Sequence, residues 1–291
     1  MAQRSIELNM EETAYVNRWR EAVSRPLGLR SRGRAFLRGM MLSAGASVQS
    51  QPTAPFLRSL YCHYVFDDQL EAFERLIVEL KAIGTFVDTG TLLEMLHGRR
   101  PITGPCFHLS FDDGFRNIYT NAFPVLRRHG VPAVFFVPSS LVAAGRQLVR
   151  SYCLETTGYS GVIELVRWEE LREMQEAGVE IGSHTRTHAR FSAISADPAR
   201  LRDELQGSKA EFEEHLGREC RFISWPYGTN RDADAASLDA VAAAGYAACF
   251  GAFRGRVRPQ TTDRLRIPRH HFEAQWPWKH IRYFALGGQE T

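Results

Sequence analysis

The sequence predicts an α/β fold, a distorted (β/α) barrel of seven or eight strands, on three observations. From Leu57 onward, short β-branched or aromatic runs alternate with amphipathic stretches, the pattern of repeated βα units. A chain of 291 residues with 44% apolar content can bury one sizeable core, and an α/β barrel commonly uses that much chain as one domain. Glycines punctuate the helix-to-strand boundaries: Gly130, Gly178 and Gly245 each sit where a helix should end just ahead of a strand, as left-handed caps require.

In chain order, strands are expected near 57–64, 84–88, 105–111, 132–137, 178–183, 220–226, 245–250 and 264–268. Helices fit between them near 69–82, 90–97, 117–129, 168–177, 197–216 and 232–244. Asp67 and Asp68 are expected to cap the first of these. Residues 138–167 exceed an ordinary βα connection and read as a rim or lid. No internal repeat or low-complexity tract interrupts the pattern.

Residues 56–291 therefore read as one barrel, and residues 1–55 as an Arg-rich, helical N-terminal extension. Residues 1–60 carry nine Arg against four Glu, with the excess between Arg18 and Arg38. Such an arm can make peripheral contact with an anionic membrane or an acidic partner, although a solvated helical face is the commoner outcome. The net charge of +3 is too small to indicate a nucleic-acid partner. The opening MAQRSIELNMEET lacks an apolar core, and Ala35 to Val48 is broken by Arg38, Gly39, Ser43 and Gly45. The expected location is cytoplasmic, with membrane association only through the arm. Five cysteines without a CxxC read as buried free thiols in a reducing compartment.

Three segments carry candidate chemistry. CFHLSFDDG, Cys106 to Gly114, is a strand ending in adjacent carboxylates, which repel and lose solvation unless a cation or donors stand nearby. The ordinary alternative is a helix cap reaching through Asn117. VEIGSHTRTH, Val179 to His188, is a second strand ending in two histidines four apart; a helical turn there would aim both imidazoles at one metal. Alone an HxxxH is weak, but with a carboxylate from another strand it supplies two nitrogens and one oxygen and leaves open positions. RFISWPYG, Arg221 to Gly228, runs off a strand into a turn whose freed amides can face an oxyanion.

SFDDG at 110–114, HTRTH at 184–188 and WPYG at 225–228, in this order and spacing, resemble the first three motifs of the polysaccharide deacetylases, carbohydrate esterase family 4. GVPAVFFVPSSL at 130–141 is similar to the strand after the first motif. The resemblance covers about residues 57–272. It implies a metal-dependent sugar N-deacetylase acting on an N-acetylated saccharide or glycoconjugate. Asp113, His184 and His188 would hold a divalent metal, most simply Zn²⁺ with Co²⁺, Ni²⁺ or Fe²⁺ as alternatives, and Asp112 would be the general base. The Tyr227 amide, in the turn of Trp225 and Pro226, would complete the oxyanion hole.

Two departures from the family pattern matter. The Arg that holds the base ahead of the third motif is replaced by Phe222-Ile223-Ser224, and Arg269 is the expected substitute. The late Leu-x-His that supplies the general acid is also absent. Instead Leu60-Tyr61-Cys62-His63-Tyr64-Val65 is similar to an early strand of the poly-N-acetylglucosamine deacetylases, a branch in which the barrel looks circularly permuted. His63 is thus the expected acid, with His270 or His271 in reserve. A deformylase or other amidase on the same scaffold, and a metal- or sugar-binding relative without turnover, are the competing readings. A nonhaem iron oxygenase, which also uses two His and one carboxylate, lacks its usual HxD spacing here.

Overall fold

The computed structural model describes residues 14–23 and 54–288; the arginines from Arg25 to Arg38 and their expected arm lie outside the described residues. Among the described residues, eight strands pair entirely in parallel: β1 (Phe56–Cys62), β2 (Thr85–Phe86), β3 (Pro105–Phe111), β4 (Val134–Val137), β5 (Glu180–Ser183), β6 (Phe222–Ser224), β7 (Ala248–Phe250) and β8 (Arg269–His271). Their order is β7-β6-β5-β4-β3-β1-β8, with β2 alongside the start of β3. Ile267 bridges Phe250 of β7, its amide donating to Cys249 O at 3.0 Å while Gly251 N donates back to Ile267 O at 2.9 Å. This bridge brings the two ends of the sheet together, so seven strands form a nearly closed barrel.

The strand expected at 264–268 is displaced to Arg269–His271 for a local reason. Pro268 has no N–H to donate, so the ladder is split into a single bridge at Ile267 on β7 and three residues on β1.

Side chains alternate across each strand, and that parity builds the interior. Leu57, Cys106, Val134, Phe136, Phe222, Ala248 and Phe250 form one apolar cluster inside the sheet. Phe107, Leu109, Phe111, Phe135, Val137, Ile181 and Ile223, one residue out of phase, join the cluster beneath the helices. Gly182 is required because a Cβ there would come within 2.6 Å of the Phe136 ring. The same parity sends Ser59, Tyr61, Ser110, Ser224 and Arg269 inward.

Helices cover the outside: α1 (Trp19–Val23), α2 (Leu70–Ile83), α3 (Thr89–Leu96), α4 (Phe123–His129), α5 (Arg146–Ser151), α6 (Trp168–Glu176), α7 (Ser208–Leu216), α8 (Ala235–Ala243) and α9 (Trp278–Ala285). The helix expected at 197–216 is a turn of α-helix at Pro198–Arg202, a wide turn at Asp203–Gly207 and then α7. The α4 helix ends on Gly130 at φ 61°; Gly178 and Gly245 also have positive φ. Asp67 and Asp68 do not cap α2 as expected. Asp67 accepts from Asn121 Nδ2 at 2.9 Å, Asp68 accepts from Trp19 N at 3.0 Å, and the turn is closed by Gln69 Oε1 accepting from Phe66 N. None of the described helices is long and apolar enough to cross a membrane.

All five cysteines are buried and free. Burial pushes the Cys153 thiol up to about 11 and Cys220 up to about 12. A disulfide-exchange reagent at pH 8 should therefore titrate none of them rapidly in the folded protein and all five after denaturation; a fast-reacting native thiol would contradict this packing.

Candidate metal and catalytic site

Two strand ends deliver the central groups. Asp112 extends β3, its amide donating to Cys62 O at 3.2 Å, and Asp113 then turns the chain at φ 75°. The turn sends neighbouring carboxylates to different partners. At the end of β5, His184 N donates to Val137 O at 2.9 Å. Beyond it the chain does not enter the expected helical turn: Thr185 and His188 both adopt positive φ near 63°. The histidines converge through this irregular turn, which Glu204 organises by accepting from Arg186 N at 2.9 Å, from Thr187 N at 2.8 Å and from the Thr187 hydroxyl.

Six non-glycine residues have positive φ among the described residues; Asp113, Thr185, His188 and Tyr227 are four of them. Left-handed backbone at such residues costs about 1–3 kcal/mol each, so the strain is concentrated where these groups meet.

Asp113 Oδ1 lies 3.5 Å from His184 Nε2 and 3.3 Å from His188 Nε2. One ligand atom from each residue falls within 4.8 Å of the others, and all three residues are buried. His184 Nδ1 donates to Ser224 O at 2.7 Å. That bond places the proton on Nδ1 and leaves the Nε2 lone pair facing Asp113. Burial also lowers the His188 pKa, favouring its neutral, ligating form. Burial would raise Asp113, but the neighbouring imidazoles of His63, His184 and His188 outweigh it and hold the carboxyl well below the usual range. A buried anionic oxygen converging with two imidazole nitrogens fits a divalent cation.

Asp112 meets Arg269 instead. Arg269 Nη1 donates to Oδ1 at 2.8 Å and Nη2 to Oδ2 at 2.7 Å, a two-pronged contact between fully buried side chains. The guanidinium also donates to Ser110 Oγ at 3.1 Å, Ser224 Oγ at 2.6 Å and Gly251 O at 2.7 Å, and it lies over the Tyr61 ring. All five of its donors are thereby used. Burial opposes ionisation of Asp112, but the Arg269 charge and its hydrogen bonds hold the pKa below the ordinary value. Arg221, the arginine just ahead of the third motif, faces solvent beside Glu219.

A cavity of about 250 Å³ opens over these groups, lined on one side by His63 and on another by Tyr227. It is near the small end of ligand sites, which span about 300–1,000 Å³. His63 stands 5.1 Å, ring to ring, from His271 and 5.5 Å from Tyr61. His270 and His271 do not line the cavity. His270 is fully buried and accepts from Gly255 N through Nε2 at 3.3 Å, and burial drops the pKa of both to about 3.

Trp225 is fully buried, with its edge on the cavity, and Pro226 starts the turn. Tyr227 is 39% exposed and carries the Arg190 guanidinium 3.6 Å above its ring. Gly228 is obligatory: at φ 66° its carbonyl accepts from Ala252 N at 2.6 Å, and a Cβ would lie 2.5 Å from that nitrogen.

Sequence reasoning missed six contributors. Tyr152 donates to Asp113 O at 3.3 Å and packs its ring 5.4 Å from His188. Thr156, Thr157 and Tyr159 add a wall of the cavity, in the stretch read only as a rim. Ser224 serves His184 through its carbonyl and Arg269 through its hydroxyl. Glu204 carries no signal in the sequence, since it sits in a charged helical stretch that reads as solvated.

Comparison with known proteins finds relatives of this chain. A family model, Polysaccharide deacetylase, matches residues 99–249. The YxkH protein of Bacillus subtilis is 26% identical over 123 residues, 42% of this chain and 37% of that protein. The poly-beta-1,6-N-acetyl-D-glucosamine N-deacetylase of Staphylococcus aureus is 25% identical over 168 residues, 55% of this chain and 52% of that protein. The chain thus spans about half or less of the curated relatives it matches. The solved structure of IcaB from Ammonifex degensii superposes with a TM-score of 0.66 at 22% identity, covering 82% of this chain and all of that one, which shows a shared fold.

The Asp112–Arg269 contact has a signed pH consequence. Because the folded pKa of Asp112 lies below its unfolded value of about 3.9, the pair contributes stability above about pH 4 that is lost as pH falls through the depressed value. Arg269→Ala should cost about 3–5 kcal/mol at neutral pH by stranding a buried charge, and the gap from wild type should narrow at pH 3. Urea unfolding at both pH values measures it; a gap independent of pH would refute the pairing.

Proposed function

The chain belongs to the polysaccharide deacetylase family, and on that premise we propose that it hydrolyses the N-acetyl group of an amino sugar, within a saccharide of N-acetylglucosamine type, with the help of a divalent cation held by Asp113, His184 and His188. The observation that carries this reading is the divergence of two adjacent carboxylates. Asp113 joins two imidazoles, while Asp112 is pinned at both oxygens by Arg269 and stays ionised in a buried site.

Amide hydrolysis needs a stronger nucleophile than neutral water and a protonated leaving nitrogen. The cation, Zn²⁺ in the simplest case, would acidify a water and polarise the acetyl oxygen. Asp112 takes the proton as the water oxygen bonds to the acetyl carbon, and Arg269 keeps it in the basic form and in place. The Tyr227 amide, in a turn of positive φ beside the cavity, donates to the oxygen on which negative charge develops. His63, on the cavity wall, delivers a proton to the nitrogen as the carbon–nitrogen bond breaks, leaving acetate and a free amine. The pairing of Arg269 with Asp112 supports turnover over a relative that only binds metal or sugar.

The test is acetate release from N-acetylglucosamine oligosaccharides, with bound metal measured on the same sample. A chelator should abolish release and Zn²⁺ or Co²⁺ restore it. Asp112→Asn should keep the metal and lower kcat by about 10²-fold or more, and His63→Ala should lower kcat more than it raises KM. Wild-type turnover in Asp112→Asn would remove the base from this scheme, and formate in place of acetate from a formylated substrate would make the chain a deformylase.

A further inference from the structure

We propose that the N-terminal segment 14–23 is a working part of the site and that Trp19 is a positioning residue for the wall that carries His63 and Tyr159, an inference that rests on the deacetylase reading. Trp19 Nε1 donates to the Tyr64 hydroxyl at 3.3 Å, and Tyr64 follows His63 in the chain. The Tyr64 ring packs edge-on to Tyr159, 5.8 Å away, and Tyr159 lies edge-on to Phe115 at 5.3 Å. Phe115 in turn stands 6.1 Å from Tyr152, the residue that donates to Asp113 O and packs on His188. An aromatic row thus leads from Trp19 across one side of the cavity to a proposed metal ligand.

The segment is tied to this row by more than one side chain. Val16 N donates to Val162 O at 2.9 Å, Ser160 N to Ala22 O at 2.7 Å, and Asp67 N to Asn17 O at 3.1 Å. Ala22 is fully buried in the cluster formed by Tyr64, Phe115 and Tyr152. Gly161 admits the segment: a Cβ there would lie 2.8 Å from Val16 Cγ2 and 2.9 Å from Glu21 O. By contrast, Asp112, Asp113 and His184 follow directly on β3 and β5, and the segment's hydrogen bonds named above go to Tyr64, Asp67, Ser160 and Val162 instead. Loosening it should shift the acid and the sugar wall, at the near end of the row, far more than the cation and the base, which stand at the ends of β3 and β5 beyond the row's far end.

That separation sets the experiment. The substrates are an N-acetylglucosamine oligosaccharide, whose leaving amine needs a proton and whose sugar needs the wall, and 4-nitrophenyl acetate, whose phenolate leaves unprotonated and whose acetyl group reaches the base alone. In the full chain, Trp19→Ala and Gly161→Ala should each lower oligosaccharide kcat/KM by about ten-fold or more, with ester hydrolysis and bound zinc unchanged. Trp19→Phe, which keeps a ring but loses the N–H, should fall between and keeps the test open if a harsher variant does not fold. Equal losses on both substrates, or none on either, overturn the proposal. A wild-type chain that releases no acetate from the sugar sinks the deacetylase reading and this one with it; an active wild type and an equally active Trp19→Ala sink this one alone.

Discussion

The barrel interior holds two adjacent carboxylates, and the arrangement depends on Arg269. An ionised carboxylate in so dry a setting costs several kcal/mol unless matched by a charge and by hydrogen bonds. Arg269 supplies both, and its own burial is offset because each N–H finds an acceptor on β3, β6 or the end of β7. With Asp112 committed in this way, Asp113 is left to the two imidazoles. The proposed division of labour between base and ligand follows from that single pairing.

Much of this was legible in the sequence because the relevant rules are local. Alternating runs and glycine stops mark the strands and helices well, and the three motifs identify Asp112, Asp113, His184 and His188 as neighbours. The expected role of Arg269 depended on noticing an absence at 222–224, and its partner serines were not anticipated, since a buried serine looks like any other strand residue. The spacing of four at 184–188 suits a helical turn, yet the histidines converge through an irregular one. Its actual shape is set by Glu204, 17 and 18 residues beyond the two amides it accepts from, and such a distant hydrogen-bonding partner leaves no periodic trace. Pro268 could have warned that the last strand would be split.

The site combines strand-borne groups with strained turns. Strands β3, β5 and β8 fix Asp112, His184 and Arg269 through ladder bonds, whereas Asp113, Thr185, His188 and Tyr227 occupy left-handed backbone. Ladder and core packing hold the strained turns in place, and those turns aim the groups at a common volume. The outer wall is built differently, from aromatic side chains of the rim and the N-terminal segment. Machinery on the sheet and a wall on the periphery give two parts that can vary independently, consistent with a shared fold carrying different substrates.

The most direct test is a crystal structure of the chain grown with Zn²⁺, with anomalous scattering recorded at the zinc edge. The account predicts one strong peak between Asp113, His184 Nε2 and His188 Nε2, with Asp112 still clasped by Arg269. A peak bound through Asp112, or histidines turned away from Asp113, would contradict it.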